Sequence, residues 1–433
     1  MPRRPSSSSP LLDDRQFKRP KLVHLTSESF KNGIFLAPMV RSGALPTRLF
    51  ALKHGASLVW GPEMVDKAIL HAERVVDPIT GVISYNGKSR AMFTTHPIEK
   101  PYLIYQIGSS NPELAVQAAK TVMQDVSGVD LNCGCPKPFS THSGMGAALL
   151  SNPDLLCSIL EALRAAMPPE ITVTAKIRLL PTQEDTLKLV ERIIDTGVSA
   201  ITIHCRTRNM RQKEKALIER LKEIVEFVEG LGKGIAVVEN GDCVGFEDAQ
   251  RIRQLTGAHS VMIATAAESN PSCFSRSPLQ NVEENLIPPY LRLCKYVDNH
   301  WSNTKFCVVQ FKGSGSKLNK ADAHKFRNTL SKSKSYDDVE DVVGEWTGEQ
   351  VFGEIVKAIQ SRRLGHQVGT EDSSPRPHER AGSEGGPLCT PPDRLNPEPP
   401  SLDAPLGPST AARMPIPAII TGDDALTPTP TPR

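Results

Sequence analysis

Eight short apolar runs recur between residues 34 and 264, and amphipathic helical stretches separate most of them. That alternation restricts the chain to folds with a parallel sheet and crossover helices. The runs are 34–39, 58–61, 102–108, 128–132, 171–177, 200–204, 235–239 and 260–264. Helical patterns fall at 112–123, 153–167, 184–196, 214–229 and 246–255. Each run is apolar nearly throughout instead of alternating, as strands covered on both faces must be. An open doubly wound sheet would carry a glycine-rich turn after its first strand, and Pro38-Met39-Val40-Arg41-Ser42-Gly43 is not one. The pattern therefore predicts an α/β fold, a (β/α)8 TIM barrel, over residues 31–285.

At 433 residues the chain is longer than such a barrel needs. Residues 1–30 carry Ser6 to Ser9 and the basic group Lys18, Arg19 and Lys21. Residues 361–433 hold 15 of the 36 prolines and little apolar periodicity. Neither segment buries enough apolar area to offset chain entropy, so both read as disordered tails. Residues 286–360 then form a small helical domain, beginning with the amphipathic run 289–297. Nine cysteines without a CxxC pair argue against a disulfide scaffold and a zinc ribbon. No apolar run approaches the ~18 residues that span a bilayer, and residues 1–12 lack the apolar centre of a secretion signal. We expect a monomer without metal or membrane, in the cytoplasm; Lys18-Arg19-Pro20-Lys21 leaves the nucleus open.

Barrel enzymes place their chemistry where strands end at the C-terminal face. Reading those ends gives Pro38, Met39 and Val40, then Glu63, Gln106, Asn132 to Cys135, Lys176 with Arg178, His204, Asn240-Gly241-Asp242, and Ala264 with Thr265. The last two loops follow strands seven and eight, where barrels commonly hold phosphate. An ammonium at Lys176 is costly in a barrel mouth unless an anion meets it, and that anion is either a ligand or Glu63. Gln106 offers both donor and acceptor, and His204 can bond a ligand or neighbouring backbone. Cys135 directly precedes Pro136, which fixes the backbone beside the sulfur. It reads as an acid or a nucleophile, because no second ligand pair has zinc-like spacing.

Leu36-Ala37-Pro38-Met39-Val40, Asp130-Leu131-Asn132-Cys133-Gly134-Cys135-Pro136-Lys137, Ser143-Gly144-Met145-Gly146, Lys176-Ile177-Arg178 and Asn240-Gly241-Asp242 together resemble the tRNA-dihydrouridine synthases. The segment 298–306 is similar to the eukaryotic branch that modifies position 20 of the D-loop, and the resemblance covers roughly residues 31–340. It implies FMN in the barrel mouth, reduced by NADPH or NADH, with hydride passing to C6 of a flipped-out uridine in tRNA. By the same match Cys135 protonates C5 and Asn132 holds the uracil. Lys176 and Gln106 meet the flavin ring, His204 the flavin or its phosphate, and the Asn240 and Ala264 loops the phosphate; Arg178 contacts substrate or phosphate. A neutral thiol, with a pKa of ~8.5, suits protonation of an enolate-like carbon. Three departures stand out: His142 replaces a lysine, His204-Cys205-Arg206 replaces His-Gly-Arg, and Ala264-Thr265 lacks the usual arginine.

Between Lys305 and Lys334 eight basic residues, among them Lys305, Lys325 and Arg327, face one acid, Asp322. We read them as the tRNA-binding face. Two rivals remain: a flavin barrel acting on a free small molecule, and a non-catalytic RNA-binding barrel.

Overall fold

The structure, a computed structural model, describes residues 24–88, 91–313 and 318–368. The N-terminal tail up to residue 23, with its basic group, and the proline-rich segment from 369 onward lie outside the described residues.

All eight predicted strands form: β1 (Ile34–Leu36), β2 (Leu58–Trp60), β3 (Leu103–Gly108), β4 (Gly128–Cys133), β5 (Thr172–Leu179), β6 (Ala200–Thr207), β7 (Ala236–Asn240) and β8 (Ser260–Ile263). Each pairs in parallel with the next. The sheet closes because Phe35 of β1 stands opposite both Leu58 of β2 and Met262 of β8. Side chains at alternate positions point inward. Phe35, Leu58, Trp60, Ile104, Ala236 and Met262 fill the lower interior. The other faces bury against the surrounding helices, which is why the outward positions of the runs are almost all apolar.

The structure departs from the expected organisation at four points. The N-terminal tail was expected to run to residue 30, yet Ser27–Phe30 is a 3-10 turn and Phe30 is fully buried. Its ring meets Phe35 at 6.3 Å and Trp60 at 6.2 Å, closing the barrel bottom, while its carbonyl accepts from Ser260 Oγ at 2.8 Å. The helix expected from residue 214 begins only with a turn at Ile218, followed by Leu221–Gly230. Residues 214–217 are instead tied to the barrel mouth, with Leu217 N–H donating to the Cys205 carbonyl at 2.6 Å. The last helix spans Gly348–Val368 and so passes the expected end at 360. Val351, Ile355 and Ile359 bury its inner stripe at a spacing of four. Between β2 and β3 stands an antiparallel sheet the sequence did not announce: Glu73–Val76, Ile83–Asn86 and Ala91–Thr95. Asp125 anchors it, accepting from Tyr85 Oη at 2.5 Å and Arg74 Nε at 2.7 Å.

Of the C-terminal helices, Ile287–Tyr296 and Gly348–Val368 pack on the barrel's first helix, Leu45–His54, while Trp301–Val308 packs on Ile287–Tyr296 and Lys320–Lys332 packs on Trp301–Val308. Tyr290 is completely buried, 5.3 Å from the Phe50 ring, with its hydroxyl 2.8 Å from Thr47 Oγ1. Arg362 donates to the carbonyls of Leu52 and Ala56 and so satisfies the end of that helix. Among the described residues no helix is long and apolar enough to cross a membrane.

Candidate active site at the barrel mouth

The upper interior is polar because the same alternation that points Phe35 and Ile104 inward also points Gln106, Asp130, Asn132, Thr174, Lys176 and His204 inward, two residues apart along each strand. Asp130 is fully buried, accepting from Gln106 Nε2 at 2.8 Å and Thr174 Oγ1 at 2.6 Å. Burial pushes its carboxyl up from the usual range, and those two hydrogen bonds oppose the rise. Gln106 is 2% exposed with its amide nitrogen committed to Asp130, so it underlies the mouth instead of standing in it.

The loop after β4 carries Cys135. Asn132 Oδ1 accepts from the backbone N–H of Gly134 at 2.9 Å and of Cys135 at 3.1 Å, folding the chain back at the strand end. Asn132 also bonds Glu63. Its polar atoms thus hold the loop, where the sequence suggested a uracil contact. Gly146 closes the turn at φ +58°; a Cβ there would lie 2.4 Å from Ser140 Oγ and 2.6 Å from the Cys135 carbonyl. Cys135 is half-buried, whereas Cys133, one strand position off the inner face, is buried among the helices. Burial first, and then the Glu63 carboxylate, push the Cys135 thiol up from its ordinary value.

Lys176 donates to Asn240 Oδ1 at 2.7 Å, and Asn240 Nδ2 donates to the Met262 carbonyl at 2.9 Å. The expected alternative, a Glu63–Lys176 ion pair, does not form; Glu63 turns to Asn132, Ser140 and Cys135. Burial and Arg178 lower the Lys176 ammonium to about 8. Arg178, 8% exposed, donates to backbone carbonyls only: Gly134 at 2.8 Å, Thr207 at 3.0 Å and Met210 at 3.4 Å. It therefore clamps the cysteine loop to the end of β6. His204 is held far below its usual range by burial and by Lys176, Arg178 and Arg206, so it stays neutral and accepts from Arg206 at 3.3 Å. Three cations and one neutral imidazole line this side of the mouth. Neither Lys176 nor Arg178 hydrogen-bonds a carboxylate here, which leaves the cluster complementary to an anion.

Other predicted residues take different work. Asp242, at φ +62°, accepts from Arg206 at 2.5 Å and from the Ala216 N–H at 2.8 Å, so it aims Arg206 and pins the loop after β6 instead of meeting an anion. Gly241 is required from behind: a Cβ would lie 2.7 Å from that of Ala216. Ala264 precedes the short helix Thr265–Ser269, and exposed Thr265 accepts from Gln212 Nε2 at 2.7 Å, bridging two rim loops. Pro38 and Met39 are half-buried at the end of β1, with Val40 exposed beside them.

Two of the three basic residues picked in the helical domain hold partners within the chain. Lys305 donates to the Ser333 carbonyl at 2.8 Å, and Arg327 donates to Glu283 at 2.7 Å and to the Phe311 carbonyl at 2.7 Å. Lys325 is exposed, as are Lys320, Lys332 and Lys334. The candidates overlooked are Asp130, Ser140 and Arg206. Period two along a strand signals Asp130 from Asn132 and Arg206 from His204, while nothing in the local sequence signals Ser140.

A family model described as dihydrouridine synthase (Dus) matches residues 35–360. A tRNA-dihydrouridine(20) synthase, NAD(P)+, of Schizosaccharomyces pombe is 46% identical over 319 residues, covering 72% of this chain and 64% of that protein. The Saccharomyces cerevisiae protein of the same description is 39% identical over 297 residues, covering 65% of this chain and 77% of its own. A tRNA-dihydrouridine(20a/20b) synthase of Saccharomyces cerevisiae is 32% identical over 240 residues, covering 55% of this chain and 60% of that protein.

Proposed function

This chain belongs to the dihydrouridine synthase family, and from that premise we propose that it reduces the C5=C6 bond of a uridine in the tRNA D-loop, at position 20. The description of its fungal relatives supports the position. The observation that carries the reading is the pairing, in one mouth, of a half-buried thiol on a pinned loop with two cations, Lys176 and Arg178, that hydrogen-bond no carboxylate.

The donor set fits FMN. Lys176, with an ammonium depressed by burial, gains most from an anionic ring above it, and neutral His204 can share in holding that ring. Arg206, aimed by Asp242, and the backbone of the loops after β7 and β8 suit the phosphate. Bound and reduced by NADPH or NADH, FMN supplies the hydride to C6. This chain's own residues supply the remainder. Cys135 delivers the proton to C5, Asn132 and Arg178 fix its loop from two sides, and half-buried Met39 with Val40 forms the opposite rim. The target base must leave its stack to reach the thiol, because its C5–C6 edge is otherwise packed against neighbours. Lys325, Lys332 and Lys334 neutralise tRNA phosphates alongside the rim. We propose a monomer without metal, in the cytoplasm and open to the nucleus.

Purified protein should be yellow and, with NADPH and unmodified tRNA, form dihydrouridine at position 20. Cys135→Ala should retain FMN and form none. A colourless protein that takes up no FMN would favour an RNA-binding role, and reduction of a free pyrimidine but not tRNA would favour the small-molecule rival.

A further inference from the structure

Glu63 lies just beyond β2, on the far side of the cysteine loop from the cations, and its carboxylate is used by neither Lys176 nor Arg178. Ser140 Oγ donates to Glu63 Oε1 at 3.4 Å, and both side chains adjoin the Cys135 thiol, Glu63 raising it and Ser140 lowering it. Space for this cluster is made by two glycines. A Cβ at Gly108 would lie 2.7 Å from Glu63 Oε1, and one at Gly146 would lie 3.1 Å from the Cys135 Cβ.

The charges facing this sulfur oppose one another. Arg178 acts on Cys135 from β5 through its charge, and the Lys137 backbone N–H acts on it from the loop itself. Burial opposes them and raises the thiol most; of the groups around it, these two favour the thiolate, which is a nucleophile with no proton to give. The one acid against the thiol is Glu63. We propose that Glu63 is the positioning residue that keeps Cys135 an acid, holding the proton on sulfur against Arg178 and Lys137 and forcing its return after each turnover. The inference rests on Cys135 being the proton donor.

The proton balance is simple. When the S–H bond breaks and C5–H forms, the electron pair stays on sulfur, leaving a thiolate beside a carboxylate. Two adjacent anions in a half-buried pocket raise each other's proton affinity, so the pair takes one proton from water, which passes through the carboxyl to sulfur. Ser140, in reach of both, can carry that hydrogen bond.

The test reads the thiol, not turnover. Cys135 of the flavin-free protein is alkylated with iodoacetamide across pH 6 to 11, and its peptide is followed by mass spectrometry. In the wild-type chain the midpoint should lie above the ordinary thiol value of ~8.5. In Glu63→Gln, which keeps the size and a hydrogen-bond donor, it should fall by about one unit, so that alkylation at neutral pH speeds up ~10-fold. Glu63→Asp should stay near wild type. A wild-type midpoint at or below ~8.5, or coincident wild-type and Glu63→Gln profiles, overturns the proposal; burial alone also raises the wild-type midpoint, so the difference decides, and Glu63→Ala takes the place of Glu63→Gln should that variant not fold. Dihydrouridine formation by Cys135→Ala would overturn the functional reading instead, with no bearing on the thiol profile.

Discussion

Lys176 illustrates how one side chain takes its meaning from its neighbours. Its only hydrogen-bond partner shown is the neutral Asn240 amide, and burial with Arg178 lowers its ammonium to about 8. The sign for binding follows directly. Below that pH the free protein offers a charged lysine to an anionic ring; above it, binding must first add a proton, and affinity falls by up to ~10-fold per pH unit. Affinity for reduced FMN, titrated anaerobically between pH 6.5 and 9.5, should therefore be flat at the acid end and weaken above about 8. Lys176→Met should bind weakly at every pH with no such bend. A bend that survives in the variant would move the titrating group elsewhere.

At the level of elements, charge in the sequence and charge at the surface part company. The helix Lys320–Lys332 carries Lys325 outward but sends Arg327 into a fork with Glu283, whose side chain is 9% exposed. Removing one partner of such a pair strands the other, so Arg327→Ala should cost ~1–3 kcal/mol and lower the melting temperature by several degrees. Lys325→Glu with Lys332→Glu should leave the melt unchanged, weaken tRNA binding and flatten its salt dependence; both effects are read by filter binding at several salt concentrations. If the double variant binds tRNA as wild type does, that face is only solvated surface. The same contrast sets what the sequence could disclose. Strands such as Ile171 to Ile177 were legible because the outward positions Val173, Ala175 and Ile177 must be apolar to bury against helices, while Thr174 and Lys176 face the mouth. The strand Glu73–Val76 was not, since all four of its residues are exposed and its pairing rests on Asp125, forty residues and more away. For the site, residue type located Cys135, Lys176 and His204. It could not say that Glu63 turns to sulfur, or that Asp242 serves Arg206, because hydrogen bonds between distant segments leave no local pattern.

For the whole molecule, the helical part works as one side of the barrel's own packing. Tyr290 inserts between Phe50 at 5.3 Å and Phe311 at 5.0 Å, its hydroxyl reaches Thr47, and Arg362 with Lys53–Glu354 fastens the last helix to the first barrel helix. Apolar contacts of this kind make the two parts unfold together, because neither can open without exposing the other's buried face. Tyr290→Ala empties a fully enclosed position and should cost ~3–5 kcal/mol. Flavin release, which follows the barrel mouth, and far-ultraviolet circular dichroism, which follows all helices, should melt at one temperature in the wild-type chain. In the variant both should fall together by a similar amount. Had the helical part been an appended module, Tyr290→Ala would lower the dichroism transition while flavin release stayed in place, and two separated transitions would therefore refute a shared core. If the transitions coincide, the basic face around Lys325 is fixed relative to the Cys135 loop. A single rigid unit can then register a tRNA loop against the mouth without an ordering step on binding.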